Sequence, residues 1–362
     1  MKYAYLLAFW IFAVAPLKAE PEFKELARFP DVIWSIEAFP DGKLWAATKA
    51  GQIFEWRAGT PGIRQVTGVP PVVVYGQGGL MDIKLHPGYP KNPELFLTAT
   101  IKNGPRSWTT QLLKGTITPE GNLTGVQPLW TAKVDSKEGV HFGSRITFDT
   151  EGHLFVGIGD RGQRDRAQDL SWHQGKVIRL KLDGSVPANN PFVGREGALP
   201  EIWSYGHRNP QGLFYDVATK TLWSNEHGPR GGDELNRVEP AKNYGWPVIT
   251  YGREYWGPSI GEGKVKEGME QPEFQWTPSI APSSLLVYSG KKHTGLKGSF
   301  LSGALVLQHL NHLTRDKDGK LQEERFFTSL GERIRSLEEG PDGSLFLGTD
   351  SGRLGILKMS KN

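Results

Sequence analysis

The chain has no cysteine and only four methionines. Without thiols there is no disulfide framework and no thiolate chemistry, so any metal would have to be held by oxygen or imidazole. Net charge is small as well. Forty-three Lys and Arg against 39 Asp and Glu leave a formal +4, and removing a leader that carries Lys2 and Lys18 leaves about +2. The basic residues are dispersed and form no run, which gives nucleic-acid binding little support. Long apolar stretches are also missing, apart from Tyr3 to Pro16. That run is shorter than the roughly 20 residues of a spanning helix. With Lys2 before it and Leu17-Lys18-Ala19 after it, it reads as a secretory signal cleaved after Ala19, a retained membrane anchor being the alternative. The expected organisation is therefore a signal peptide over residues 1–19 and one domain over 20–362. That domain would be periplasmic or secreted, with no membrane span after cleavage.

What is abundant is glycine, proline and tryptophan, at 45, 25 and 12 residues, which favours many short strands joined by tight turns. One pattern recurs from Trp34 (WSIEAFPDGKLWAAT), from Arg145 (RITFDTEGHLFVGIG) and from Ile334 (IRSLEEGPDGSLFLG). Each copy is an alternating strand, a turn containing Asp-Gly or Glu-Gly, and a second, more apolar strand, which is a hairpin signal. Degenerate copies occur at Leu80–Thr98, Gly212–Ser224 and Ser284–Leu307. Six such units without helical periodicity predict an all-β, six-bladed β-propeller with four-stranded antiparallel blades. A two-sheet sandwich seldom holds so many units. The inserts Ser171–Trp203 and Asn243–Ser279 would crown one face of the propeller.

The chain is organised around Glu201–Pro247. Arg208, the His227-Gly228-Pro229 turn, Asp233-Glu234 and Asn243-Tyr244-Gly245-Trp246-Pro247 follow one another there. Carbonyls and carboxylates suit a hard cation such as calcium, and arginine suits a planar anion. Asp233-Glu234 could equally be a solvated acidic pair. Two residues that flank a hairpin unit lie at the same end of its strands. His141, before the Arg145 unit, can therefore meet Asp160, after it, and the carboxylate would orient the imidazole as a base. The alternative is an ordinary surface histidine. The same argument brings Arg208 to Gly228-Pro229. Arg333 and Arg335 lie on the same side of their strand and need an anion between them, either Asp350 or a bound carboxylate. Gly76-Gln77-Gly78-Gly79 precedes no helix, so it reads as a turn in preference to a phosphate loop.

Several motifs resemble the soluble PQQ (pyrroloquinoline quinone)-dependent sugar dehydrogenases, in particular their aldose sugar dehydrogenase branch. They are VYGQGGLMDIKLHP, VHFGSRITFD, IGDRG, GHRNPQG, EHGPRGGDELN, KNYGWP, WTPSIAPSS and ERIRSLEEGPDGSLFLGTDSGRL, and the similarity runs from about Phe29 to Leu357. The resemblance implies oxidation of an aldose at C1 to the lactone, with PQQ and calcium as cofactors and an unidentified electron acceptor. It implies His141 as general base, Asp160 as its hydrogen-bonded carboxylate, and Arg208 as the cation facing charge on the quinone. Gln77, Asn209, Trp276, Arg333, Arg335 and Asp350 match residues that line or hold the cofactor. Gly228 and Pro229 match carbonyls on the cofactor's calcium. Glu234 and the Tyr244 carbonyl match a separate structural calcium site. A neutral imidazole is required, so activity should fall in acid, below about pH 6–7.

Three positions depart from the pattern. Asn311 stands for a cofactor-contacting lysine, Glu273 for an aromatic wall residue, and Asp165 for a glutamine. These predict a more open pocket. A monomer or a homodimer fits the sequence. A calcium-dependent lactonase or esterase propeller and a non-catalytic binding propeller are the alternative functions.

Overall fold

The second strand of each hairpin unit is the more apolar because it is covered on both faces. Leu44–Thr48 and Leu345–Thr349 are buried along their whole length, and His153–Ile158 nearly so. The computed structural model describes residues 21–359, and the expected leader, residues 1–19, lies outside them. The described residues form six four-stranded antiparallel sheets. The first contains β2 (Ile33–Ala38), β3 (Leu44–Thr48), β4 (Ile53–Trp56) and β5 (Arg64–Val66). The second contains β6 (Leu80–Leu85), β7 (Glu94–Gly104), β8 (Ser107–Ile117) and β9 (Leu123–Thr131), and the third β10 (Gly143–Phe148), β11 (His153–Ile158), β12 (Lys176–Lys181) and β13 (Ile202–Tyr205). The fourth contains β14 (Pro210–Asp216), β15 (Thr221–Glu226), β16 (Asp233–Val238) and β17 (Phe274–Trp276). The fifth contains β18 (Pro282–Val287), β19 (Phe300–Ala304), β20 (His309–Arg315) and β21 (Leu321–Phe326). The sixth joins β22 (Ile334–Glu339), β23 (Leu345–Thr349) and β24 (Arg353–Lys358) to the first strand of the domain, β1 (Glu22–Arg28).

This is the six-bladed propeller expected from the sequence. The first strands of the blades touch in succession around an axis, and β22 meets β2. An apolar cluster fills each gap between blades, for example Trp45, Ile83 and Leu97 between the first and second. The ring is closed by β1 on β24, in a register running from Glu22↔Lys358 to Arg28↔Arg353. That pairing leaves neither end of the barrel of blades as an open edge.

All six inner strands share a second feature. Each pairs with its neighbour through a register shift at its first residues, between Ile33 and Ser35, Leu80 and Asp82, Gly143 and Ile146, Pro210 and Gly212, Pro282 and Leu285, and Ile334 and Ser336. A bulge inserts an unpaired residue and re-aims its side chain. Trp34, Gln211 and Arg335 are such residues, and all three point into one axial cavity. Below them the channel is plugged: Asp82 takes Arg145 Nη1 at 3.0 Å, Ser35 Oγ at 2.5 Å and the Ile146 amide at 2.7 Å.

The two inserts do not act alike. Ser171–Trp203 is not a crown, because its centre is strand β12 and the segment after it leaves from the opposite end of the blade. There Asn189 and Asn190 meet Arg179, which also reaches His153 beside the β10–β11 turn. Asn243–Ser279 does reach the bulged end before supplying β17, through Trp246 and Tyr255. Among the described residues no helix is long and apolar enough to cross a membrane.

Candidate active site

The inner strands start, and their partners end, on the face where the bulges lie. There His141 Nδ1 is 2.7 Å from Asp160 Oδ1, as the matched strand ends predicted. Asp160 is buried and also accepts from the Gly162 amide and from Trp246 Nε1, both at 2.8 Å. Burial alone would raise its carboxyl. The His141 bond and charge, the charge of Arg208 and the Gly162 amide outweigh burial and hold it below the usual aspartate value. With Nδ1–H donated to a carboxylate, the lone pair of His141 lies on Nε2. His141 has φ +52°, a left-handed conformation costly for a residue with a Cβ. Gln77 Oε1 holds its amide at 2.8 Å. The segment before it rests on Arg161, whose guanidinium lies 3.3 Å from the Phe142 ring centre and donates to the Val140 and Glu138 carbonyls.

Gln77 sits in a turn closed by the Gly78 amide on the Tyr75 carbonyl at 2.9 Å, so the glycine cluster is indeed a turn. A Cβ on Gly76 would come within 2.1 Å of the Gly139 carbonyl, which explains a glycine next to Gln77.

An axial cavity of about 350 Å³ opens beside this pair, lined by Trp34, Lys49, Gln77, His227, Tyr255, Arg333, Arg335 and Asp350 among others. Asp350 bonds both arginines. Arg333 Nε donates to it at 2.6 Å and Arg335 through Nε and Nη2 at 2.7 and 2.8 Å. The protein therefore supplies the anion that the arginine pair needed. Burial would raise Asp350, but the two guanidinium groups hold it below the usual value. Lys49, Arg333 and Arg335 still outnumber this one carboxylate, so the lining is net positive. His227 adds no charge: burial and the nearby Arg208 push it down to about 3, and its Nε2 donates to the Pro282 carbonyl at 2.8 Å. Asn209, buried beneath the cavity, lies 3.4 Å from His227 Nδ1 and accepts from Gln211.

Arg208 lines a second, much smaller cavity, which shares His227 with the first. Its Nη1 donates to the His227 and Gly228 carbonyls at 3.1 and 2.7 Å, while its Nε is buried without a hydrogen-bond partner. Its amide donates to Glu226 Oε2 at 2.6 Å. The small cavity, about 10 Å³, is lined by Glu226, Gly228, Glu234 and Tyr244 with Arg208. Glu226 and Glu234 are directly opposite in the β15–β16 register, and the Asn236 amide donates to both. Like charges facing each other in a sheet repel, and burial removes the water that would screen them. Burial, then Glu226, accordingly pushes Glu234 up to about 8. Two acids around a space for one water-sized occupant match the oxygen donors a calcium ion takes. Asp233 is not a solvated neighbour of this pair. It is buried, and its carboxylate clamps the turn through the Gly228 amide, Ser279 Oγ and the Ala281 amide at 2.7–2.8 Å. Pro229 O accepts only a long bond from Ser279 Oγ, 3.4 Å.

Some sequence expectations land elsewhere. Trp276 lies in the outermost strand β17, buried against Phe274 and in the core with Trp223 and Leu235, because a three-residue edge strand needs that apolar anchor. The aromatic walls are Trp34 and Tyr255 instead. Asn311 lies in β20 and donates to Glu323, away from the cavity; its blade presents Leu305 and Val306 there. Glu273 pairs with Arg315 at the surface, and Asp165 belongs to a short 3-10 turn, Arg164–Ala167, on the outer rim. Lys49 carries no motif that marks it in the sequence, and Glu226 and Trp246 are marked there only as parts of EHGPRGGDELN and Asn243–Pro247. Of these, Glu226 was within reach, since it closes the loop opposite Glu234.

The fold and site together define a six-bladed propeller with a histidine–carboxylate pair beside a cationic axial cavity. The chain belongs to the glucose/sorbosone dehydrogenase family, whose model matches residues 30–358. It is 37% identical to the aldose sugar dehydrogenase of Escherichia coli over 331 residues, which are 90% of this chain and 89% of that one. The crystal structure of that soluble enzyme in its apo form superposes with a TM-score of 0.90 at 35% identity, covering 94% of this chain and all of the other. The PQQ-bound aldose sugar dehydrogenase of Streptomyces coelicolor gives 0.77 at 26% identity, over 94% and 99% of the two chains.

Proposed function

We propose that the protein oxidises an aldose at C1 to the lactone, with PQQ as the hydride acceptor and calcium as its companion ion. The observation that carries this reading is the His141–Asp160 pair beside a net-positive cavity, whose lining residue Gln77 holds the His141 amide. A planar tricarboxylate suits that lining, and the buried unpartnered Nε of Arg208 is a donor awaiting an acceptor. Arg333, Arg335, Lys49 and Gln77 would hold the cofactor, and Trp34 would wall it. When bound, PQQ supplies a two-electron couple that takes the hydride from C1.

The chain itself does the rest. His141 Nε2 accepts the proton of the C1 hydroxyl, and the imidazolium so formed is stabilised by Asp160, which keeps its charge. Trp246 and Gly162 hold Asp160 in place. Arg208 would offer positive charge to an oxygen of the bound cofactor. The Gly228 carbonyl, which Arg208 engages, keeps a second lone pair for a cation, and the Pro229 carbonyl adjoins it. Glu226 and Glu234, with Tyr244, would hold a second ion away from the chemistry.

Purified protein mixed with PQQ, calcium, an aldose panel and an artificial electron acceptor tests the reading. Dye reduction that needs both additions is expected. Ester or lactone cleavage without PQQ would instead establish a hydrolase, and neither activity would leave a binding propeller.

A further inference from the structure

Two large aromatic residues stand side by side in water at the lip of the cavity. Tyr255 is 65% exposed and Trp256 75%. They occupy the centre of a turn closed by the Gly257 amide on the Glu254 carbonyl at 3.0 Å and by the Glu254 amide on the Pro258 carbonyl at 2.8 Å. The turn is fixed from both flanks. Arg253 exchanges backbone bonds with Arg230 at 3.1 and 3.2 Å, next to the Gly228-Pro229 turn. Glu254 takes Arg164 Nη1 at 2.6 Å from the β11–β12 connection of the neighbouring blade. Backbone and ion pair thus hold the rings up, where no apolar packing draws them. Leaving two aromatic faces hydrated forfeits the stabilisation that their burial would give. Such a patch next to a pocket marks a binding surface.

Continuity with the cavity selects the occupant. Tyr255 lines the same space as Arg333, Arg335 and Asp350, whereas Trp256 lies beyond it, towards solvent. A pyranose ring has an apolar face of C–H groups that are weakly positive, and an aromatic face is negative, so the two stack. Resting on the function proposed above, we infer that Tyr255 and Trp256 form a carbohydrate platform. Tyr255 covers the ring whose C1 is oxidised, and Trp256 stacks on the next ring of an oligosaccharide entering by its reducing end.

The test compares wild type, Trp256→Ala and Tyr255→Ala on glucose, maltotriose and cellotriose, with calorimetric titration of PQQ and of each sugar. Trp256→Ala should lower the ratio of trisaccharide to glucose kcat/KM about tenfold, as expected for one lost stacking contact of about 1.4 kcal/mol. The loss should fall mainly in KM, and the calorimetric affinity for the trisaccharide should fall with it. A Trp256→Phe variant should restore most of both. In Trp256→Ala, equal losses on glucose and trisaccharide, an unchanged ratio, or a change of oligomeric state on gel filtration with no change in the ratio would overturn the platform, whereas Tyr255→Ala should lower kcat/KM on both sugars alike. Failure of the enzymatic reading is separable: it shows as no PQQ heat and no dye reduction, while trisaccharide binding that depends on Trp256 can still be measured.

Discussion

Replacing Asp160 with asparagine tests the proposed chemistry most directly, because it changes one charge and almost no volume. In the present geometry three donors converge on this carboxylate: His141 Nδ1–H, Trp246 Nε1–H and the Gly162 amide. An asparagine can turn its oxygen towards His141 and Gly162, but its NH₂ then faces the indole N–H. One buried hydrogen bond is lost, costing about 1–3 kcal/mol of stability. The catalytic cost is separate. A carboxylate about 4 Å from the centre of an imidazolium, at an effective dielectric near 20, stabilises it by about 4 kcal/mol. Asp160 is buried and His141 largely so, and that value therefore needs little discount for solvent. Asp160→Asn should then lower kcat about 10³-fold. PQQ affinity should barely move, since Asp160 does not line the cavity. Steady-state kinetics on the reconstituted enzyme, with calorimetric PQQ titration and a melting curve, give all three numbers. Trp246→Phe is the control, because it removes one donor and leaves the charge, and should cost less than tenfold in rate. A kcat for Asp160→Asn within tenfold of wild type, in a folded protein that binds PQQ, would refute the assignment of His141 as base.

The remaining predictions concern the ions around the site. In the metal-free protein Glu234 keeps its proton to about pH 8, against 4.5 in an unfolded chain. Between those values the folded state binds the extra proton, so its stability should fall as pH rises through that window. A bound cation holds Glu234 ionised, so calcium should raise Tm by more at pH 8 than at pH 6, and Glu234→Gln should abolish the difference; equal shifts at both pH values would exclude this ion site. Arg335 is buried and bidentate on Asp350, whereas Lys49 is half-buried and bonds the Gly76 carbonyl. Arg335→Met should weaken PQQ binding by about 100-fold or more and Lys49→Met by about tenfold or less, following the gap between buried and exposed ion pairs. Calorimetry in which the order is reversed would show that Lys49 carries the anion.

What could be read from the sequence was whatever depends on local order. Three hairpin units declared themselves by alternation and an Asp-Gly or Glu-Gly turn, three more were degenerate copies, and the six units are the six pairs of inner strands. Outer strands were not legible because they are half exposed, and some are also short. Arg64–Val66 and Phe274–Trp276 have three residues each, too few for a period. The closing strand Glu22–Arg28 pairs with residues more than 300 positions away, and nothing in its own pattern points there. The bulges, too, are invisible in sequence, although they aim Trp34, Gln211 and Arg335. The His141–Asp160 pair was legible because both residues flank one hairpin. Trp246, which completes that pair, comes from the next blade's long loop. Only the closed ring brings it within 2.8 Å.

The same ring accounts for the placement of charge. The bulged face holds two cavities, a cationic one on the axis and a small one with two facing acids between β15 and β16; His227 borders both, and Arg208 lines the second. The Arg208 guanidinium engages the Gly228 carbonyl while its amide is held by Glu226. Glu226 also accepts from His207 Nδ1 at 3.0 Å and from Asn236, so its orientation fixes the start of β14. Without a cation, Glu226 and Glu234 repel, and the cheapest relief is protonation of Glu234. With one, both carboxylates are drawn to the ion, and Glu226 becomes a firmer anchor for the Arg208 backbone. An ion in that small cavity would therefore reach Arg208 through the hydrogen bond of 2.6 Å between its amide and Glu226.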